Sequence, residues 1–251
     1  MAVEVALIGV LGAVVGSFLN VVIYRVPRGE SIVTPRSRCP GCGKEIAAWD
    51  NVPVVSWLIL RGRCRHCGIA ISPRYPAVEL LTAVTFAAVA ATRGVDDDLV
   101  LQLPFVAVLI AIAGIDLEHR IVPNAIVAPA AVFAVVAGAV VMTGELPDLL
   151  LAGAGAFLAM LLIALAYPRG MGMGDVKLAG VMGLYLGQSV IPALFIGFLT
   201  GALVGLAIMA REGTGARKKG VPFAPFLALG GIAGLLVGPE LIDLYQDEFL
   251  A

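Results

Sequence analysis

The chain has 251 residues, of which 60% are hydrophobic and only 14% charged, whereas a soluble domain carries about 25% charged residues. That composition excludes an ordinary soluble globular protein and points to a bilayer. With 18 acidic against 17 basic side chains and a net charge of -1, global charge gives no case for nucleic acid as a partner.

A spanning helix needs about 20 mainly apolar residues. Stretches of this kind fall at about 3–23, 76–93, 99–115, 121–142, 148–167, 176–190, 191–210 and 223–239, the sixth and seventh parted only by Gly187, Gln188 and Pro192. Backbone in hydrocarbon must satisfy its own hydrogen bonds, so these stretches are expected as helices. The first lacks a basic leading region and carries Glu4, so it reads as a retained span rather than a signal peptide. The expected fold is an all-α polytopic membrane protein with about eight transmembrane helices and one small cytoplasmic zinc-knuckle loop domain. Its parts are a first transmembrane helix at 1–23, a four-cysteine domain at 24–75 and a transmembrane domain at 76–251.

Placing the N-terminus outside puts Tyr24–Tyr75, Asp116–Arg120, Pro168–Asp175 and Arg211–Pro222 on the cytoplasmic side, together with every Lys and Arg except Arg93. Such an asymmetry sets orientation, and an even number of spans returns the C-terminus outside. Arg217, Lys218 and Lys219 then anchor the last span. Among the many glycines, Gly197, Gly201 and Gly205 form a small-xxx-small stripe suited to close helix packing.

All four cysteines lie in the first loop, as Cys39-Pro-Gly-Cys42 and Cys64-Arg-His-Cys67, with 21 residues between the pairs. Two CxxC pairs at such spacing suit one tetrahedral zinc ion with four thiolate ligands, a closed site that holds structure and performs no chemistry. Two disulfides are the alternative, disfavoured in a reducing cytoplasm. His66 stands between two ligands and is expected to face solvent. The loop's nine basic residues, Arg25 to Arg74, serve as a topology anchor and attract anionic lipid.

Asp116 closes one apolar run, and Asp175 ends Gly172-Met173-Gly174-Asp175 just before another, both at the same membrane face. Charge at such depth is costly and is usually paired, hydrated or functional. Two carboxyls brought together share a proton, so that one acts as base while the other acts as acid, a division suited to peptide hydrolysis. Each Asp alone reads more simply as a helix cap or an interfacial charge. Gly172 and Gly174 would let backbone approach a substrate. Lys177 could bias the Asp175 carboxyl or snorkel to the interface. Glu79 could pair with Arg74 or Lys177, and His119 could tune Asp116 from the same turn as Glu118.

The sequence resembles the type IV prepilin peptidases, bacterial membrane aspartic proteases of the GxGD class. The blocks that carry the resemblance run in order along nearly the whole chain. They are Gly16-Ser-Phe-Leu-Asn-Val-Val-Ile-Tyr-Arg25, Pro35 to Gly43, Trp49 to Trp57, Arg61 to Cys67, Ile71 to Leu80, Asp116-Leu-Glu-His-Arg-Ile-Val-Pro-Asn124, Gly172 to Lys177, and Val221-Pro-Phe-Ala-Pro-Phe226. Asn124 and Ala224 depart from the family's usual Asp and Gly. The resemblance implies an endopeptidase that removes the short basic leader of prepilins and pseudopilins after a Gly, at the cytoplasmic face of the inner membrane, with Asp116 and Asp175 as the catalytic pair. It further implies methylation of the new N-terminal amine from S-adenosylmethionine, although no Gly-rich nucleotide fingerprint is present. Because both leader and loop are basic, Asp50, Glu79 and Glu118 are the acidic groups placed to greet a leader. A proton- or cation-coupled transporter would use the same two aspartates, but no matching broken segments occur in the two halves. A zinc-responsive scaffold would leave both aspartates idle.

Overall fold

The computed structural model describes residues 1–168, 170–212 and 221–249. The proposed anchor at Arg217, Lys218 and Lys219 lies outside the described residues. Among them the secondary structure is helical, with two isolated antiparallel bridges, Arg38 to Glu45 and Arg63 to Ala70, as the extended pairing. The helices are α1 (Ala2–Arg25), α2 (Val55–Ile59), α3 (Arg74–Arg93), α4 (Leu99–His119), α5 (Asn124–Val141), α6 (Leu146–Ala166), α7 (Met173–Leu186), α8 (Val190–Glu212) and α9 (Ala224–Phe249). All but the five-residue α2 fall on the eight apolar stretches.

Among the described residues, seven stretches of helix are long and apolar enough to cross a membrane. Seven differs from eight because Met173–Arg211 forms one apolar stretch of 39 residues. It is not one straight rod: Gly187 adopts φ +55 and a 3₁₀ turn over Gly187–Ser189 separates α7 from α8. At 1.5 Å per residue, α7 alone is about 21 Å long, shorter than a hydrocarbon core of about 30 Å. Leu7, Val10, Leu151, Leu162 and Ile191 are more than 60% exposed, which suits helices solvated by lipid. The protein is a multi-pass membrane protein.

The chain divides into two compact units, Met1–Val95 and Asp96–Ala251. In the first, α1 packs along α3 at almost backbone contact. A Cβ on Gly16 would lie 2.7 Å from the Glu79 Cα, and one on Gly12 would lie 2.8 Å from the Thr82 carbonyl oxygen. This small-xxx-small pair replaces side-chain volume with close dispersion contact, the usual drive where lipid removes the hydrophobic one.

In the second unit α4 is the central helix, with Phe105, Leu109, Ile112 and Ile115 fully enclosed. It packs on α5, α7 and α9, while α6 lies on α7 and α8 on α9. The Tyr185 ring of α7 stacks on Phe105 at 4.8 Å between centroids, and its hydroxyl donates to the Ala130 carbonyl at 3.0 Å. Gly197 and Gly201 of α8 do face α9 and its entry, at Phe226 and Phe223, but Gly205 meets none of the described residues within 4 Å of a Cβ. The pairing of 197 with 227 and 201 with 223 is antiparallel, so by residue 205 the partner helix, which starts at Ala224, has ended. The closer approach is made from the α9 side, where a Cβ on Gly230 would lie 2.2 Å from the Ala193 carbonyl oxygen.

Candidate functional site

Two local structures hold the chemistry-bearing residues. In the first unit, Cys39, Cys42, Cys64 and Cys67 bring their four Sγ atoms within 4.8 Å of one another. Each CxxC pair folds by the same backbone pattern. The Gly43 amide donates to the Cys39 carbonyl and the Gly68 amide to the Cys64 carbonyl, while the Cys39 amide donates to Lys44 and the Cys64 amide to Ile69. Gly43 and Gly68 take φ +70 and +72, which glycine adopts at no steric cost. The repeated turn sets two knuckles facing each other.

This donor set fits zinc. Zn–S bonds of about 2.3 Å in a tetrahedron place sulfurs about 3.8 Å apart, and Cys39 Sγ lies 3.7 Å from Cys67 Sγ, far beyond the S–S bond of about 2.05 Å. All four cysteines are free thiols, and the cluster does not include His66. The amides of Cys42 and Gly41, both directed at the Cys39 sulfur, lower that thiol to about 6, the thiolate form a metal requires. The second knuckle is tied to the preceding loop by Arg65, whose Nε donates to Asp50 Oδ2 at 2.9 Å and whose guanidinium reaches Asp50 Oδ1 at 2.5 Å. That hydrogen-bonded guanidinium holds the Asp50 carboxyl below the usual range. The clasp is therefore complete at neutral pH and is lost as pH falls through the lowered value.

Glu79, buried on α3, accepts the Val54 amide at 2.7 Å and a hydrogen bond from the Ser17 side chain. Val54 stands at φ +61, a strained position for a β-branched residue. Glu79 is thus a tether between loop and helices. Asp50 and Glu79, two of the acidic residues expected to greet a leader, are both occupied by contacts of the unit's own.

In the second unit, Asp116 lies on the last turn of α4 and is 5% exposed. The helix closes on Arg120 at φ +55, whose amide donates to the Asp116 carbonyl, and the Arg120 charge acts on the Asp116 carboxyl. The carboxyl accepts the amide of Ala224 through Oδ2 at 3.1 Å. Ala224 is the first residue of α9, so Asp116 satisfies one of that helix's otherwise unpaired donors. Sequence reasoning missed this group, since a backbone amide leaves no mark in a side-chain motif. Ala224, which departs from the family's usual Gly, thus supplies the amide that holds the Asp116 carboxyl.

Asp175 sits in the first turn of α7, with extended Gly172 as its N-cap. Its own amide donates to the Gly172 carbonyl at 3.1 Å, and the Gly172 amide interacts with its carboxyl, the back half of a capping box. The two carboxyls are within electrostatic range of each other. Gly174 makes their approach possible. A Cβ there would lie 2.7 Å from the Val122 Cβ, in the segment that follows Asp116, whereas the nearest described atom to a Cβ on Gly172 would be an Asp175 carboxylate oxygen, at 3.5 Å. Gly174→Ala is therefore expected to push α7 off that segment and cut the peptide cleavage that the resemblance implies at least tenfold, while Gly172→Ala stays within about twofold, as initial rates on one substrate would show.

Lys177 donates through Nζ to Asn124 Oδ1 at 3.0 Å. It thus bridges the first turn of α7 to the start of α5. His119 Nε2 lies 3.9 Å from the Glu118 carboxylate, beyond hydrogen-bond reach.

Within the second unit, two helix-end carboxyls in electrostatic range of each other form an arrangement in which one can act as base while the other acts as acid. The family described as "Bacterial Peptidase A24 N-terminal domain" matches residues 10–93, and the "Type IV leader peptidase family" matches residues 103–206. The chain is 35% identical over 237 residues to a Bacillus subtilis protein named prepilin leader peptidase/N-methyltransferase, covering 94% of this chain and 95% of that one. A protein of the same name from Pseudomonas aeruginosa is 33% identical over 264 residues, covering 94% and 91%. One from Myxococcus xanthus is 39% identical over 210 residues, covering 81% of this chain and 63% of the relative. No solved structure matches. The chain belongs to the type IV leader peptidase family.

Proposed function

We propose that the protein is a membrane aspartic endopeptidase that removes the basic leader of prepilin-like proteins, with Asp116 and Asp175 as its catalytic pair. The observation that carries this reading is the convergence of these two carboxyls, Asp116 fixed by the Ala224 amide and Asp175 in electrostatic reach of it, in a chain of this family.

The two carboxyls share one proton. The ionised member takes a proton from water as the water oxygen attacks the scissile carbonyl carbon, and the protonated member hydrogen-bonds the carbonyl oxygen. The C–N bond then breaks, the amine leaves with a proton from the dyad, and the pair returns to its starting state. Arg120 and the α9 N-terminus orient Asp116, and Gly172 orients Asp175. In this reading Gly174 and Lys177 position the start of α7, and Glu79 holds the loop. Cys39, Cys42, Cys64 and Cys67 would hold zinc, which would fix the loop and supply no chemistry to the cleavage.

Methylation of the new amine rests on the names of the relatives. The described residues form no strand–turn–helix nucleotide cradle, so no residue is assigned to S-adenosylmethionine and no step is routed through it. Basic residues gathered on one face support a cytoplasmic active site in a bacterial inner membrane. With α7 and α8 as separate crossings, both termini lie outside.

The test is incubation of purified protein in detergent with a prepilin-like substrate, followed by product masses with and without S-adenosylmethionine. Cleavage before the hydrophobic helix supports the peptidase, and added mass of one methyl group on the mature product supports the second activity. An intact, zinc-loaded protein that leaves several leaders uncut would sink the reading.

A further inference from the structure

The short helix α2 is the one helix that the sequence reading did not anticipate and that the proposed chemistry does not use. Val55, Leu58 and Ile59 fall at i, i+3 and i+4, so they share one face, and they are 50%, 61% and 70% exposed. The other side faces inward: the Ser56 hydroxyl donates to the Trp49 carbonyl at 2.8 Å, and the Trp57 indole N–H donates to Ile71 at 3.1 Å. Trp49, beside the start of α2, is 72% exposed. In water this would be an unexplained apolar patch.

Its depth explains it. The residue before α2, Val54, is pinned by its amide to Glu79, five residues inside the start of α3 at Arg74, hence about 8 Å along the helix. Glu79 is bonded in turn to Ser17, eight residues before the end of α1 at Arg25, hence about 12 Å. Arg25 and Arg74 mark where these spans leave the bilayer, since such residues collect at the interface. The start of α2 therefore lies below the ends of the spanning helices, at the depth where interfacial helices bury their apolar faces, about 5–10 Å. Exposed Arg61 and Arg63 follow α2 immediately and match anionic headgroups.

We infer that α2 and Trp49 form an interfacial anchor, inserted among the lipid headgroups and upper acyl chains, which holds the zinc loop against the membrane. The strained backbone at Val54 and the buried Glu79 tether set its depth. The partner is the lipid surface itself, and the inference stands whether or not the peptidase reading is right.

The chain has two tryptophans, so intrinsic fluorescence reads the anchor directly. The full-length protein is placed in phosphatidylethanolamine/phosphatidylglycerol vesicles carrying bromines on the upper acyl chain, and a Trp49→Phe variant supplies the Trp57 signal to subtract. The Trp49 component is expected to lose most of its emission to the brominated lipid and to resist aqueous iodide. Quenching by iodide without quenching by lipid would place Trp49 in water and overturn the inference. Resistance to both quenchers would overturn it too, by showing a protein covering such as a second copy. In a Leu58→Glu, Ile59→Glu variant that retains its zinc, lipid quenching of Trp49 is expected to fall and iodide quenching to rise; unchanged lipid quenching would remove α2 as the anchor. The wild-type and Trp49→Phe comparison decides the question even if that variant fails to fold.

Discussion

Asp116→Asn and Asp175→Asn are each expected to lower cleavage of a prepilin-like substrate by about 10³-fold or more, with the double variant no slower than either single one. General acid–base catalysis contributes about 10²–10⁴ per group, and two carboxyls that pass one proton between them fail as a unit, so their losses do not add. The structure separates chemistry from folding in this test. Asn at position 116 keeps an oxygen for the Ala224 amide that Oδ2 now accepts at 3.1 Å. Asp116→Ala leaves that buried donor without an acceptor, at a cost of about 1–3 kcal/mol. The Asn variant should therefore melt near wild type in detergent while the Ala variant melts lower, both being equally inactive. Asn variants that cleave at the wild-type rate would remove these residues from the reaction.

The spans were legible because hydrocarbon enforces one signal, an apolar run of fixed length, whatever the packing inside the bundle. The α7–α8 boundary was legible only roughly: Gly187, Gln188 and Pro192 marked a break placed at 190–191, whereas the helices part at the Gly187–Ser189 turn. Packing between helices was less so. The Gly197–Gly201 stripe is real, but Gly205 faces none of the described residues, and the tighter contact belongs to Gly230; in a chain with 30 glycines, periodicity alone does not say which ones meet a backbone. Around Asp116 and Asp175, the motif named both carboxyls and Gly174 but not the Ala224 amide. The environments of Glu79 and Lys177 were also hidden, because a charged side chain in sequence does not reveal that its partner is a neutral amide, at Val54 or Asn124. Helix α2 escaped notice because five residues are too few for a period to stand out.

Removing zinc is expected to unfold the knuckle loop while leaving the spanning helices in place. A loop of this size has too little core to hold itself, and structural zinc supplies on the order of 10 kcal/mol. The α1–α3 contact at Gly12 and Gly16 does not pass through the cysteines. Chelation, or Cys39→Ser at the buried ligand, should release the metal and open the segment between Ser37 and Ile71 to protease, with little change in helical circular dichroism. Restoring protease resistance with cadmium, a soft ion that also takes thiolates, would confirm a structural role, because any four-thiolate ion can close the two knuckles. Retention of protease resistance after complete metal removal would show that the backbone bonds of the two turns, together with the Arg65–Asp50 clasp, suffice. The four thiols would then stand close for some reason other than the loop's fold.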